Sequence, residues 1–310
     1  MKIAFVFPGQ GSQSVGMLDA FAGDAVVHDL LDRAREALDE DLGRLIAEGP
    51  AEQLALTINT QPAMLLAGLA IYRAWRAAGG AVPAVMAGHS LGEYTALTAA
   101  EALPVEAALR LVRFRAQVMQ EAVPAGTGTM AAIVGLSDEA VAQACAEAAE
   151  GQVVEAVNFN APAQVVIAGH AEAVTRACQV ARRLGAKRAI SLTVSAPFHC
   201  SLLAPAGERL RQRLRDEPIA APRVAVLNNI DVLAESEPDR IRDALARQAA
   251  GPVRWAEIIR KMAADGVTHV VECGPGRVLA GLTKRIEPTL EGLSLTDPAS
   301  IGEALQRLQG

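Results

Sequence analysis

Short apolar runs alternate with longer amphipathic stretches along most of the chain. The run Ile3–Phe7 ends at a Pro-Gly pair and is typical of a buried strand. Similar runs occupy residues 84–87 and 269–272, and in both cases a glycine-containing turn and a helical stretch follow directly. Strand, tight turn and helix in this order predict an α/β fold with a mostly parallel sheet.

Three helices are predicted among these strands. One covers residues 60–77, where Thr60 can act as the N-cap and Pro62 falls in the first turn, a position that tolerates proline. The other two cover residues 91–100 and 104–121.

Residues 127–194 have a different pattern. The predicted elements are a strand, a helix, two strands, a helix and a strand, at residues 130–134, 138–149, 153–157, 164–168, 172–184 and 188–194. A turn-rich segment at residues 158–162 separates the two middle strands. This β-α-β-β-α-β order is that of ferredoxin-like folds. Since the α/β pattern resumes afterwards, we predict a ferredoxin-like subdomain at residues 127–194, inserted into a large α/β domain of residues 1–126 and 195–310.

Composition narrows the function classes. The 310 residues suffice for one large domain or two smaller ones. The 29 basic and 35 acidic residues give a net charge of −6, which disfavours a nucleic-acid partner. The longest strongly apolar stretch, residues 63–72, is about half a membrane span, and the N-terminus lacks a signal-peptide pattern. We therefore expect a cytoplasmic protein with no membrane partner.

The cysteines also favour a cytoplasmic localisation. They include no Cys-x-x-Cys pair, which disfavours a zinc ribbon or a thioredoxin-like motif. Without a secretory signal, we expect reduced, buried thiols at all four positions, Cys145, Cys178, Cys200 and Cys273.

The segment Gly88-His89-Ser90-Leu91-Gly92 fits G-x-S-x-G, the pattern of a nucleophile elbow. In such an elbow the serine stands on a tight strand-to-helix turn, and N–H groups at the helix start can stabilise an oxyanion. The strand predicted before Ser90 and the helix predicted after it favour this interpretation over a glycine turn whose serine only caps a helix.

A serine nucleophile needs a base, and five histidines are available. His199 lies where the predicted subdomain returns to the large domain, a typical place for a cleft wall, and is the favoured candidate. No Asp or Glu ends a predicted strand between Ser90 and His199, so a backbone carbonyl is the candidate for orienting the imidazole. The other histidines are His28, His89, His170 and His269.

Two further features could bind an anion. The turn Gly9-Gln10-Gly11 follows the first strand but does not continue as G-x-G-x-x-G, so an oxyanion-binding loop fits it better than a phosphate loop. Arg115 lies on or beside the apolar face of its helix. This placement indicates either a buried salt bridge or a bidentate clamp on a substrate carboxylate.

Seven motifs occur along the chain in this order: Phe5-Val6-Phe7-Pro8-Gly9-Gln10-Gly11-Ser12-Gln13, Thr60-Gln61-Pro62-Ala63, Gly88-His89-Ser90-Leu91-Gly92-Glu93-Tyr94, Arg115, Pro197-Phe198-His199, Val226-Leu227-Asn228-Asn229 and Glu272-Cys273-Gly274-Pro275-Gly276. Together they resemble the malonyl-CoA:acyl carrier protein transacylases of bacterial fatty acid synthesis, over the whole chain. The resemblance implies a large domain like that of α/β hydrolases, an inserted ferredoxin-like subdomain, and an active site in the cleft between them.

The resemblance also implies roles for individual residues. Ser90 would be the nucleophile and His199 its base. The backbone N–H groups of Gln10 and Leu91 would form the oxyanion hole, and Arg115 would hold the malonyl carboxylate.

In the family a backbone carbonyl orients the histidine, and Gln248 matches that position. Related acyltransferase domains often carry His-Ala-Phe-His before the base, whereas this chain has Ala196-Pro197-Phe198-His199. The retained phenylalanine goes with malonyl rather than methylmalonyl selection. The implied partners are malonyl-CoA and a phosphopantetheine-bearing acyl carrier protein, with no metal, no cofactor and a monomeric enzyme.

Other functions fit part of the pattern. A serine hydrolase such as a thioesterase shares G-x-S-x-G, and an idle carrier-binding scaffold could keep the fold. Within transferases, an acyltransferase that serves a polyketide synthase has the same motifs. Four basic residues near functional segments are candidates for docking an acidic carrier protein: Lys187, Arg188, Lys284 and Arg285.

Overall fold

The computed structural model describes residues 1–309, which form two β-sheets surrounded by helices. In chain order the strands are β1 (Ile3–Phe7), β2 (Val85–Gly88), β3 (Gly128–Val134), β4 (Val154–Ala161), β5 (Gln164–His170), β6 (Arg188–Leu192), β7 (Ala225–Leu227), β8 (His269–Cys273) and β9 (Glu291–Leu295). The α-helices are α1 (Ala25–Leu38), α2 (Leu42–Glu48), α3 (Ala51–Leu54), α4 (Thr57–Ala77), α5 (Gly92–Ala99), α6 (Val105–Glu121), α7 (Asp138–Ala148), α8 (Ala171–Arg183), α9 (Ala204–Leu214), α10 (Pro238–Gln248), α11 (Trp255–Ala264), α12 (Val278–Ile286) and α13 (Pro298–Gln309).

The first sheet has the strand order β7-β2-β1-β8-β9, and its strands pair in parallel. All five residues of β1 are buried, because the strand lies mid-sheet with packing on both faces. The side chains of Phe5 and Phe7 pack into the apolar core on one face of the sheet. Those of Ala4 and Val6 pack into a second core on the other face. The predicted α/β fold with a mostly parallel sheet is confirmed.

The second sheet is antiparallel, with the order β4-β5-β3-β6. Helices α7 and α8 cover one of its faces and share a separate apolar core with it, which includes Val141, Val165 and Val174. The predicted β-α-β-β-α-β order is confirmed. On the chain segment before α11, Val253 joins this sheet to the rest of the protein, since its N–H donates to Val157 O at 2.8 Å.

The predicted turn at residues 158–162 is wrong. Strand β4 continues through Ala161, and only Pro162 and Ala163 connect it to β5. The register shifts between Ala156 and Asn158 and again between Phe159 and Ala161, as β-bulges do. These bulges break the strict alternation of apolar and polar residues, so a strand segment has the polar pattern of a turn.

The predicted N-cap of the long helix is also wrong. Helix α4 begins at Thr57, and Thr60 lies inside it. The Thr60 hydroxyl donates backwards to the carbonyls of Leu54, at 2.6 Å, and Leu56, at 3.1 Å, instead of accepting from the helix start. Pro62 is therefore in the second turn of the helix. None of the described helices combines the length and apolarity needed to cross a membrane.

Candidate active site

Ser90 stands on a sharp turn between β2 and α5. Its φ of +54° lies in the left-handed region, which non-glycine residues rarely adopt. The flanking glycines allow this geometry: a Cβ on Gly88 would lie 1.7 Å from the Gly92 carbonyl carbon, and a Cβ on Gly92 would lie 2.0 Å from Phe7 O. The strand, turn and helix therefore pack too closely for any other residue at these two positions.

His199 lies against Ser90. Its Nε2 is 2.7 Å from Ser90 Oγ, and its Nδ1 is 2.9 Å from the backbone carbonyl oxygen of Gln248. A carbonyl oxygen only accepts, so Nδ1 carries the proton and Nε2 presents a lone pair to the serine hydroxyl. The carbonyl thus takes the place that a carboxylate has in a Ser-His-Asp triad.

The imidazole of His199 is held neutral. Burial, and after it the nearby positive charge of Arg115, lower its pKa to about 3, although the hydrogen bond to the Gln248 carbonyl opposes the shift. The side chain is 4% exposed. At neutral pH it is a free base facing the serine.

Arg115 is buried beside the same serine, with 1% of its surface exposed. Its Nη1 donates to Gln61 Oε1 at 2.8 Å, and its Nη2 donates to Gln248 Oε1 at 2.9 Å and to Ser90 Oγ at 3.2 Å. Among residues 1–309, no carboxylate lies within 4.0 Å of the guanidinium, so the salt-bridge alternative finds no partner there. A buried arginine with only neutral partners beside a cavity can bind an anion.

Two backbone N–H groups at the cavity are free. Within the described chain, neither Gln10 N–H nor Leu91 N–H donates to a protein acceptor, and both residues line the cavity. The Gln10 side chain is tied to Thr57 Oγ1 at 3.1 Å. Gly9 brings the loop against the elbow, since a Cβ there would lie 2.7 Å from His89 O. The two groups can stabilise an oxyanion next to Ser90.

The cavity at Ser90 has a volume of about 580 Å³. The parallel-sheet part of the protein contributes Ser90, Arg115 and His199 to its lining, and the antiparallel sheet contributes Met130 and Leu192. The site therefore lies between the parallel-sheet part and the antiparallel sheet.

Sequence reasoning assigned no role to two residues beneath the elbow. Asn229 Oδ1 accepts from Ser90 N at 2.7 Å, and its Nδ2 donates to Gly88 O at 2.7 Å. The Glu93 carboxylate is buried beside it. The only sequence signal was a pair of asparagines directly after an apolar run, in a motif with no assigned chemistry.

None of the other four histidine rings forms a hydrogen bond with Ser90 Oγ. His89 lines the cavity, but its Nε2 bonds Asn160 Oδ1 at 2.8 Å. The ring nitrogens of His28 and His170 bond backbone groups, and His269 lies near Glu291. In residues 1–309, no group of three or more His, Cys, Asp or Glu side chains is arranged to hold a metal ion.

Comparison with known proteins finds matches that cover almost the whole chain. A family model described as acyl transferase domain matches residues 4–303. The chain is 54% identical over 306 residues to the malonyl CoA-acyl carrier protein transacylase of Escherichia coli, a match that covers 98% of this chain and 99% of that protein.

Solved structures agree with these matches. An acyl-carrier-protein S-malonyltransferase from Burkholderia pseudomallei is 63% identical with a TM-score of 0.97, covering 99% of this chain and 100% of that one. A malonyl-transacylase in complex with a type II polyketide synthase acyl-carrier protein is 48% identical with a TM-score of 0.97, with coverage of 99% and 100%.

Proposed function

The chain belongs to the acyl transferase family, and we propose that it moves malonyl groups from malonyl-CoA to the phosphopantetheine thiol of an acyl carrier protein. The observation that carries this proposal is the contact of Ser90 with both a neutral imidazole and a buried arginine that has no carboxylate partner in the described chain. The first group activates the serine, and the second can select a carboxylated acyl group.

The first half of the reaction loads the enzyme. His199 Nε2 takes the proton from Ser90 Oγ, which attacks the thioester carbonyl of malonyl-CoA. Negative charge develops on the carbonyl oxygen, where the N–H groups of Gln10 and Leu91 can stabilise it. The intermediate collapses to malonyl-Ser90, and the CoA sulfur leaves with the proton from His199.

The second half of the reaction transfers the malonyl group from Ser90 to the carrier protein. After CoA departs, the phosphopantetheine thiol enters the same cavity and gives its proton to His199. The thiolate attacks the ester carbonyl of malonyl-Ser90, and the serine oxygen leaves with that proton. Arg115 holds the distal carboxylate in both halves, and its positive charge keeps this carboxylate ionised and disfavours loss of CO2.

A two-step mass measurement tests this function. Malonyl-CoA alone should add one malonyl group to Ser90, and the adduct should persist for minutes until a phosphopantetheine-bearing carrier protein removes it. Rapid loss to water without the carrier would instead indicate a serine hydrolase. Failure to form an adduct at all would indicate a scaffold.

The carrier is either that of fatty acid synthesis or that of a polyketide synthase. We propose the fatty-acid carrier, because the motifs resemble the transacylases of bacterial fatty acid synthesis over the whole chain, and the name of the similar Escherichia coli transacylase gives an acyl carrier protein and no polyketide synthase. The polyketide alternative is supported by the complex with a polyketide carrier among similar structures. A comparison of kcat/KM for the two carriers decides between them.

We propose that the carrier protein docks on four exposed basic side chains, none of which lines the cavity at Ser90. Lys187 and Arg188 are exposed at the start of β6, and Lys284 and Arg285 are exposed at the end of α12. Reversal of Lys187 and Arg188 to Glu should raise KM for the carrier and leave KM for malonyl-CoA nearly unchanged. The association rate of the wild type should fall with salt, since charges are screened beyond about 8 Å at physiological ionic strength.

A charge-matched control uses Arg215 and Arg240. Both are exposed, neither forms an ion pair within the described residues, and neither lines the cavity. Reversal of both to Glu changes net charge equally and should leave KM for the carrier unchanged. If both double variants behave alike, the docking surface lies elsewhere.

The remaining assignments are part of the same proposal. Residues 1–126 and 195–310 form the acyltransferase domain, residues 127–194 the inserted subdomain, and the protein acts as a monomer in the cytoplasm without metal, cofactor, membrane or nucleic acid. The cytoplasmic assignment is supported by the four cysteines, all of which are buried and unbridged.

A further inference from the structure

Glu93 is a buried carboxylate that the mechanism above does not use. It lies in the first turn of α5 and is 2% exposed. Its Oε2 accepts from Asn229 N at 2.8 Å and from Gln248 Nε2 at 2.9 Å. Among the described residues, no lysine or arginine pairs with it directly. A buried charge with only neutral hydrogen-bond partners is costly, which indicates a role beyond packing.

Gln248 connects this carboxylate to Arg115. Its Oε1 accepts from Arg115 Nη2, and its Nε2 donates to Glu93 Oε2 and, at 3.0 Å, to Ser90 O. An ionised carboxylate only accepts and a guanidinium only donates, so the amide has a single orientation that satisfies both. The same residue orients His199 through its backbone carbonyl.

Asn229 connects Glu93 to the elbow. Its backbone N–H donates to the carboxylate, while its side chain bonds Ser90 N and Gly88 O. A serine with positive φ keeps that conformation only where its surroundings enforce it. Glu93 thus supports two parts of the site. It supports the elbow through Asn229, and it supports Arg115 through Gln248.

We propose that Glu93 is a positioning residue for malonyl transfer, which fixes Gln248 and Asn229 and through them holds Arg115 and Ser90 in their working geometry. This inference rests on the proposed function and deepens it. Glu93 acts through other residues, since it bonds to neither Ser90 Oγ nor His199. Its effect should be larger for acyl groups with a distal carboxylate, because only these need Arg115.

The ionisation of Glu93 adds a pH dependence. Burial raises its pKa to about 7, although its hydrogen bonds and Arg115 oppose the shift. The other charged or titratable groups near it are Tyr94 on the same helix, Asp231 after β7, and Glu235 across a small cavity. Glu93 is neutral below this pKa and ionised above it. The preference for malonyl over acetyl should therefore rise with pH through about 7.

The test measures acylation of Ser90 by malonyl-CoA and by acetyl-CoA in single turnovers, between about pH 6 and about pH 8.5. Glu93→Gln should lower the malonyl rate by about tenfold or more, the size expected for losing a hydrogen bond to a charged group. The acetyl rate should fall less, and the rise of the malonyl preference with pH should disappear. In an Arg115→Ala background, Glu93→Gln should not change the preference further.

Glu272→Gln is the matched control. Glu272 is also fully buried, burial also raises its pKa, and its Oε2 accepts from Ala280 N at 2.8 Å at the start of α12. This variant should lose stability and keep the wild-type malonyl preference and pH profile.

Several results would overturn the inference. They are an unchanged preference in Glu93→Gln, an equal loss in Glu272→Gln, and additive effects with Arg115→Ala. If Glu93→Gln does not fold, the wild-type profile still decides, because a preference that is flat in pH contradicts the inference. The proposed function fails separately, if the wild type forms no malonyl-Ser90 at all.

Discussion

Ser90→Ala should abolish malonyl transfer while the protein stays folded. The change removes the hydroxyl oxygen that contacts both His199 Nε2 and Arg115 Nη2. Loss of a catalytic serine in other enzymes lowers kcat by about 10⁴-fold or more, because no second group forms the covalent intermediate. Radiolabelled malonyl-CoA should then leave no label on the protein, and carrier malonylation should fall to background.

A measurement of the unfolding free energy of Ser90→Ala distinguishes loss of the nucleophile from misfolding. Ser90 is half-buried, and the variant loses a hydroxyl rather than a packed apolar group, so we expect a change below about 2 kcal/mol in unfolding free energy. Ser137→Ala is the control: it removes the N-cap of α7, where Ser137 Oγ accepts from Ala140 N, and should cost stability without touching activity. Malonyl transfer at the wild-type rate in Ser90→Ala would refute the assignment of the nucleophile.

Arg115→Ala should separate malonyl from acetyl substrates. Only malonyl carries the distal carboxylate that the guanidinium can bind, and a buried charge pair that loses one partner costs about 2–5 kcal/mol. We therefore expect kcat/KM for malonyl-CoA to fall by about 30-fold to about 4,000-fold. The rate with acetyl-CoA should change little or even rise, because a buried positive charge is gone.

The control variant changes Arg110, which lies on the same helix as Arg115. Arg110 is exposed on α6, so Arg110→Ala removes the same side chain without reaching the cavity. It should leave both substrates unaffected. An equal loss for malonyl-CoA and acetyl-CoA in Arg115→Ala would mean that the arginine is structural.

Local patterns predicted those candidate residues that lie on a helix or at the end of a predicted element. Ser90 was predicted because G-x-S-x-G between a strand and a helix has one common geometry. The absence of a strand-ending acid between Ser90 and His199 left a backbone carbonyl as the candidate, and the family resemblance pointed to Gln248, whose carbonyl oxygen lies 2.9 Å from His199 Nδ1. Arg115 was identified by its position on an apolar helix face, although that position alone did not separate a salt bridge from a binding site.

The supporting network could not be predicted in the same way. Glu93 and Asn229 are 136 residues apart, and nothing in either segment specifies that a carboxylate accepts from that particular N–H. The polar Asn158 and Asn160 resembled a turn because two bulges shift the register of β4. Contacts of this kind depend on how distant segments pack, whereas strand and helix patterns are local.

The neutral carbonyl behind His199 has a consequence for the lifetime of the acylated enzyme. A carboxylate would stabilise the imidazolium that forms when His199 takes a proton, and a carbonyl does so less. A thiol gives up its proton far more readily than water, because its pKa of about 8.5 lies far below that of water. A weak base can therefore distinguish between the two acceptors. In the proposed mechanism such a histidine should deprotonate a carrier thiol much faster than it activates water, so that malonyl-Ser90 persists in an aqueous cleft until the carrier arrives.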